Sequence, residues 1–213
     1  MSWFSRLFRR RKKPVRTPVR EVPVQVTPEN DRRYWDKDLN FKAALAIVFA
    51  FEGGYSNDRY DSGGKTKYGI IESEAREWGY KGDMRDLTRE FASKIYYMKY
   101  WKSKNLDKIA DLSPKVATEV FEMGVNMGSS RAIKALQRSI NLMNRRGKIC
   151  PDIPVDGKLG YNTISAFKKF PKSDYPIFVK LINAIQGEYY MKFAENRESQ
   201  EVFIRGWFKR VQF

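Results

Sequence analysis

The most informative absence in this chain is histidine, which occurs at none of its 213 positions. Ser-His-Asp and Cys-His triads need an imidazole as general base, and many zinc centres need one as a ligand. Both arrangements are therefore excluded, and with them the common amidase and peptidase mechanisms. Catalysis by carboxyl groups remains.

Cysteine is almost absent as well. The single Cys150 cannot form a disulfide within the chain, and there is no histidine to activate its thiol. We interpret it as a buried or incidental thiol. A chain without internal disulfides is suited to folding in a reducing cytoplasm.

Long apolar runs are also missing. The longest, residues 43–51, is far shorter than the ~20 residues that a membrane-spanning helix needs. At the amino terminus, the basic cluster at residues 9–13 follows the apolar residues instead of preceding a hydrophobic segment. This order is not that of a secretory signal, so unaided export is not expected.

The chain does contain enough apolar residues for a core, together with a large excess of positive charge. Its residues are 42% hydrophobic and 15% aromatic, and its formal net charge is +16. The charge predicts attraction to a polyanion such as nucleic acid, an anionic membrane or the bacterial wall. Because no nucleic-acid-binding motif accompanies it, nucleic acid is not the expected partner.

Residues 1–33 differ in composition from the rest of the chain. They carry ten Lys or Arg against three acidic residues, and they contain four prolines. The proline-rich part, residues 14–28, predicts an extended linker. Apolar residues at helical spacing before it predict a short amphipathic helix over residues 2–10, which could lie on an anionic membrane surface. A solvated basic tail is the alternative.

From about residue 38 the apolar pattern becomes helical. Phe41, Leu45, Val48 and Phe49 mark one face of a first helix, which ends at the glycine pair 53–54. Residues 55–71 are rich in Gly, Asn, Asp and Tyr and predict a small β-hairpin. Further helical patterns follow. We therefore predict a mainly α fold, a helical bundle with one small β-hairpin that carries part of the active site.

The segment from Glu52 to Thr66 contains the candidate catalytic groups. Glycosidic bond hydrolysis needs one carboxyl group to protonate the leaving oxygen and a second group to manage water or the developing cation. Glu52 follows an apolar run, whose burial would raise its pKa, whereas Asp61 lies in a polar glycine-rich loop that favours ionisation. The hydroxyl of Thr66 could hold a water molecule by a hydrogen bond. Taken alone, Glu52 could equally be a helix cap beside an ordinary turn.

The complete motif resembles glycoside hydrolase family 108, a family of phage and bacterial muramidases. Glu-Gly-Gly-Tyr at residues 52–55, the DxGGxT turn at residues 61–66 and Gly-Ile at residues 69–70 match its signature. Later matches are Tyr-Trp at residues 100–101, the segment 120–128 and Gly-Trp-x-x-Arg at residues 206–210. The resemblance implies an α+β lysozyme-like fold over residues 38–128 and a catalytic role for Glu52.

Glu52, Asp61 and Thr66 also resemble the Glu-Asp-Thr triad of other phage lysozymes. In this chain the Thr lies one residue closer to the Asp, and Ser62 replaces a common Pro. These departures leave the roles of Asp61 and Thr66 open, with Asp58 as the alternative second carboxylate. Of the remaining site residues, Tyr55 is the best candidate for contact with a sugar. Asn126 is a candidate for an N-acetyl group, with a core hydrogen bond as the alternative.

Residues 129–213 are similar to the peptidoglycan-binding module that accompanies these muramidases. The matching residues are Ala-Leu-Gln at 135–137, Asp-Gly-Lys-Leu-Gly at 156–160 and Thr163. The resemblance implies a helical region packed with the catalytic one. Two roles stay open for this region: it could bind the wall by itself, or it could complete the lysozyme core.

The implied activity is that of an endolysin-type N-acetylmuramidase acting on the β-1,4 bond from N-acetylmuramic acid to N-acetylglucosamine. Peptidoglycan is the expected partner, no metal or cofactor is expected, and the chain is expected to be a monomer. It would wait in the host bacterial cytoplasm until release to the wall. The alternatives are a lytic transglycosylase and a non-catalytic wall-binding or virion protein.

Overall fold

The computed structural model describes residues 34–51, 54–56 and 64–211. The predicted amphipathic helix and linker of the first 33 residues lie outside these ranges. Ten α-helices occur in the described part, with several short 3-10 segments and one π-helix between them. The α-helices are α1 (Tyr34–Lys37), α2 (Leu39–Phe51), α3 (Glu72–Glu77), α4 (Arg89–Tyr96), α5 (Leu106–Ala110), α6 (Pro114–Met127), α7 (Ser129–Met143), α8 (Tyr161–Phe167), α9 (Tyr175–Glu195) and α10 (Ile204–Phe208).

Helix α2 forms where the sequence predicts the first helix. Its buried residues are Phe41, Ala44, Leu45 and Val48, a spacing that forms one stripe along a helix. At its start the Asp38 carboxylate accepts the Phe41 N–H at 2.9 Å, and its other oxygen accepts the Trp101 indole N–H at 3.0 Å. Asp38 therefore caps the helix and attaches it to the aromatic core.

The predicted hairpin is present and very short. Strand β1 (Thr66–Lys67) pairs antiparallel with β2 (Ile70–Ile71), with Thr66 opposite Ile71. The connecting Tyr68 and Gly69 have φ values of 50° and 72°. Positive φ at both central residues is typical of the type I′ turn, whose twist matches that of the strands. A bridge between Ser56 and Thr66 extends the ribbon on its other side.

Helix α6 is the centre of the fold. Pro114 lies in its first turn and the Ser113 hydroxyl accepts the Val116 N–H, so the helix start has both of its usual signals. Every residue from 120 to 127 is buried. Helices α2, α5, α7 and α9 pack around it. The polar side chains of this buried stretch must therefore find hydrogen-bond partners inside the protein, and these partners are described below.

The aromatic-rich segment after α4 forms the adjoining core. Tyr97–Trp101 is a π-helix, and Tyr96, Tyr97, Tyr100 and Trp101 are all buried. The Phe41 ring contacts Trp101 and Phe121 edge-on, with centroids 5.6 and 5.8 Å apart. These rings contribute packing, as the sequence indicated for most of this cluster.

The C-terminal helices share the same core. Helix α9 packs against both α6 and α7, and Tyr190 of α9 stacks on Trp207 of α10 with centroids 5.3 Å apart. Between α7 and α8 the chain follows turns and irregular backbone, and the free thiol of Cys150 is buried there. Over the described ranges, no helix has both the length and the apolar character that a membrane crossing needs.

Candidate active site and its buried support

The candidate carboxylates Glu52, Asp58 and Asp61 lie outside the described residues, so their catalytic roles remain predictions. The residues that flank them are described. Phe51 ends α2 immediately before Glu52, Tyr55 and Ser56 begin the ribbon, and Gly64 leads into β1. The site can therefore be characterised from its surroundings.

Thr66 is held firmly at the start of β1. Its side chain is 8% exposed, and its N–H and C=O both bond to Ser56, at 2.9 and 2.8 Å. Its hydroxyl donates to the Gly64 carbonyl at 3.4 Å. The structure brings Thr66 and the predicted sugar-contacting Tyr55 together at this ribbon. Tyr55 is 38% exposed, so its ring is accessible from solvent.

Basic side chains surround the ribbon. Arg85 pairs with Asp83 at 2.9 Å, and this contact lowers the pKa of the Asp83 carboxyl and raises that of the Arg85 guanidinium. The Lys67 ammonium donates to the Arg85 carbonyl. Arg89 lies over the Phe49 ring at 4.9 Å from its centroid. Asp83 balances the charge of Arg85, whereas Lys67 and Arg89 add positive charge beside the ribbon, which favours a substrate that carries carboxylates.

An open groove runs along α2 toward this end of the helix. It has a volume of about 370 Å³ and is lined by residues of α1, α2 and α4, among them Trp35, Lys42, Phe49 and Arg89. Phe49 also packs against Tyr68 of the hairpin, with ring centroids 5.8 Å apart. The groove therefore adjoins the ribbon that carries Thr66.

Beneath the end of α2 lies a buried ion pair. Glu122 of α6 accepts a hydrogen bond from the Arg210 guanidinium at 3.0 Å, and both side chains are almost fully buried. The Arg210 guanidinium carbon is 4.5 Å from the centroid of the Phe51 ring. The residue before Glu52 is thus packed on a buried arginine whose charge is balanced by Glu122.

Two amides complete the surroundings of Glu122. The Gln186 amide of α9 donates to its second carboxylate oxygen at 3.0 Å and also to the Tyr190 hydroxyl at 3.1 Å. The Asn126 amide donates to the main-chain carbonyl of Glu122 at 2.9 Å and to the Glu122 carboxylate at 2.5 Å. Both oxygens of the Glu122 carboxylate thus accept hydrogen bonds inside the core.

Asn126 is fully buried in this arrangement. Its side chain thus makes the core hydrogen bond that the sequence left open as the alternative to a contact with an N-acetyl group. The substrate contact stays a prediction.

Glu119, one turn before Glu122, was not singled out by the sequence. Burial, followed by repulsion from Glu122, raises its pKa to about 8, and a hydrogen bond with Asn183 acts in the opposite direction. Burial and the charge of Glu122 therefore both favour the protonated form of Glu119. Two glutamates three residues apart in a mainly apolar helix are the sequence signal that could have identified it.

Comparison with known proteins defines the class of the chain. Residues 45–128 match the model of the family Glycosyl hydrolase 108, and residues 131–212 match that of the Predicted Peptidoglycan domain. The chain thus contains a glycosyl hydrolase domain followed by a predicted peptidoglycan domain. Its first part is a glycosyl hydrolase 108 domain, which confirms the resemblance of the sequence motifs.

A solved structure described as Brucella abortus SagA is similar in fold. Its identity to this chain is 24%, the match covers 80% of this chain and 88% of that one, and the TM-score is 0.61. At this identity the likeness shows the fold alone. No curated protein matches the sequence.

The two matched segments are joined through the buried ion pair. Glu122 belongs to the first segment, whereas Gln186 and Arg210 belong to the second. The C-terminal region therefore supplies part of the core on which the end of α2 rests.

Proposed function

We propose that this protein is an endolysin-type N-acetylmuramidase that hydrolyses the β-1,4 bond between N-acetylmuramic acid and N-acetylglucosamine. The observation that carries the proposal is the glycosyl hydrolase 108 match, which spans Glu52 and the whole ribbon. In this mechanism Glu52 donates a proton to the leaving oxygen. Asp61 stabilises the oxocarbenium-like transition state or orients water, and Thr66 positions that water.

The surroundings of α2 support the role of Glu52 as an acid. A general acid must stay protonated near neutral pH, and a neighbouring positive charge would oppose this by lowering its pKa. The buried Arg210 is neutralised by Glu122, and Phe51 lies over its guanidinium. The last residue of α2, Phe51, therefore contacts an ion pair that carries no net charge.

Peptidoglycan is the partner that the C-terminal match supports. The formal charge of +16 favours this polymer, whose stem peptides carry carboxylates. Storage in a host cytoplasm, release to the wall and a monomeric state belong to the same proposal, as does docking of residues 2–13 on an anionic membrane.

The test is mass spectrometry of the products that the intact protein releases from purified peptidoglycan, beside those of Glu52→Gln. We expect disaccharide peptides ending in a reducible muramic acid, reduced at least 100-fold by the substitution. Glu77→Gln, an exposed glutamate in α3, is the matched control and should behave as the parent. Anhydro-muramic products would identify a transglycosylase instead. Absence of products from a protein that still sediments with the wall would identify a binding protein.

A further inference from the structure

The segment between α7 and α8 borders a row of three adjoining pockets. Their volumes are about 250, 280 and 510 Å³. The first and second share Ile153, Pro154 and Asn162, and the second and third share Asp152. These three neighbouring pockets are here called the loop groove. A row of linked pockets suits an extended polymer better than a single small molecule.

Three amide side chains in and just after α7 hold the wall of the loop groove in place. Gln137 and Asn141 lie one turn apart on the same face of α7, and Asn144 follows directly after the helix. Asn141 donates to the Ile153 carbonyl and accepts the Ile153 N–H, both at 2.9 Å. Asn144 donates to Asp152 at 2.5 Å. These bonds fix a segment that follows no regular secondary structure.

Gln137 holds the next part of the same wall. Its amide nitrogen donates to the Asp156 carboxylate at 2.8 Å, and its oxygen accepts the Gly157 N–H at 2.9 Å. Gln137 is 1% exposed, so these bonds are shielded from water. A binding surface that is shaped before the ligand arrives loses little conformational entropy on binding.

An exposed aromatic ring stands at the edge of the loop groove. Tyr161, the first residue of α8, is 83% exposed and lines the first pocket with Lys158 and Asn162. A pyranose ring has a face of C–H groups that packs on an aromatic ring, while its hydroxyl and N-acetyl groups need hydrogen-bonding partners beside it. Tyr161 and Asn162 offer that combination. Lys169 and Arg146 line the second and third pockets and add positive charge.

We propose that the loop groove binds the glycan strand of peptidoglycan, with Tyr161 stacking on a sugar ring. This inference rests on the proposed function in taking peptidoglycan as the polymer. The loop groove would be a second binding site, outside the cleavage site, and it would recognise the sugars of the polymer. The Asn162 amide and the Tyr161 ring select the sugars, and the lysine and arginine attract the carboxylates of the stem peptides.

The test measures binding without cleavage. The full-length Glu52→Gln protein is sedimented with insoluble purified peptidoglycan, with and without Tyr161→Ala. We expect Tyr161→Ala to weaken binding about tenfold, because it removes the stacking surface. Tyr161→Phe retains the ring and should bind within about threefold of its parent. Val202→Ala, also in the C-terminal region and 77% exposed, is the control outside the groove. Equal sedimentation of the Tyr161→Ala protein and its parent would overturn the inference.

A second substrate separates the glycan from the stem peptides. Glycan strands from which an amidase has removed the peptides lose the cross-links that keep peptidoglycan insoluble, so they are attached to beads for this measurement. The protein should still bind them, and Tyr161→Ala should still weaken that binding. Complete loss of binding to the peptide-free glycan would overturn the assignment to the sugars. The proposed activity fails by a different result, the absence of cleavage products from the intact protein, and that result leaves the sedimentation experiment interpretable.

Discussion

Two polar networks support this fold, and they differ in charge, depth and range. The first, around Glu122, is ionic and deeply buried, and it joins residues as far as 88 positions apart. The second consists of amide side chains that bond to main-chain groups and to two carboxylates, without an ion pair among these bonds, and it holds a segment only 8 to 21 positions away. The ionic network joins the two matched regions, whereas the amides shape one local surface. Their loss should therefore have different consequences.

Breaking the ionic network should have the largest effect on stability. Arg210→Met leaves Glu122 as a buried charge without its main partner, and we expect it to lower the free energy of unfolding by about 3–5 kcal/mol. Urea unfolding measures this change. Lys209→Met, at the exposed neighbouring position, is the control and should cost less than about 0.5 kcal/mol. Adding Glu122→Gln to Arg210→Met should restore part of the loss. A double variant less stable than the single one would contradict this account.

A substitution at the glycine of the loop wall should rank second. Gly157 has φ +76°, and an added Cβ would lie 2.9 Å from the Ser130 carbonyl oxygen. We expect Gly157→Ala to destabilise by about 2–3 kcal/mol and to weaken binding to peptidoglycan, because the wall must shift. Gly79 has φ +85° with no atom within 4 Å of the added Cβ, so Gly79→Ala isolates the backbone cost of about 1 kcal/mol. Equal losses at the two glycines would show that the contact with Ser130 is unimportant.

Titration of Glu119, one turn from Glu122, should have a smaller effect on stability, and replacing this residue should stabilise the protein. Glu119 has a pKa of about 8 in the folded protein and an ordinary value of 4.5. As pH rises between these values the unfolded chain loses this proton and the folded protein keeps it, so the group lowers stability progressively. Glu119→Gln should remove that cost and stabilise the protein by about 1–2 kcal/mol at pH 8, with little change at pH 4. Thermal unfolding across this range, with Glu77→Gln as the exposed control, measures it. A stabilisation that does not depend on pH would reject the titration of Glu119 as its cause.

Loss of one amide of the second network should have the smallest effect on stability. Asn141→Ala removes two hydrogen bonds to Ile153 at the protein surface, where water can replace them. We expect a loss of about 1 kcal/mol in thermal unfolding. The affinity of the Glu52→Gln protein for peptidoglycan should also fall, by about threefold, because the Asn141 bonds no longer hold the groove wall. Asn196→Ala, which removes one exposed bond to Lys192, controls for the loss of an amide elsewhere. Unchanged binding would show that this amide does not shape the binding surface.

The first helix and the hairpin could be predicted because their signals are local. The apolar residues of α2 recur at helical spacing, and the turn at Tyr68 and Gly69 follows a segment rich in turn-forming residues. The motif matches that indicated a glycosyl hydrolase are likewise contained in short stretches. The family comparison confirms that class.

The partners of the buried groups could not be predicted in the same way. Asn126 and Glu122 lie on one helix, and their contact needs only helical geometry. The contacts of Glu122 with Gln186 and Arg210 depend on how α9 and the C-terminal turn pack against α6. No local pattern specifies that packing. The π-helix at Tyr97–Trp101 is similar, because a change of helical register depends on the surrounding core.

The sequence by itself indicated a glycosyl hydrolase and determined the mainly helical architecture of this protein. The absence of histidine leaves carboxyl groups as candidate catalysts, and the apolar spacing favours helices around a small hairpin. Only the tertiary structure decided that a C-terminal arginine neutralises Glu122 beneath the end of α2, and that α7 holds the loop groove open. The physical reason is that propensity and periodicity act over a few residues, whereas burial joins side chains that are distant along the chain.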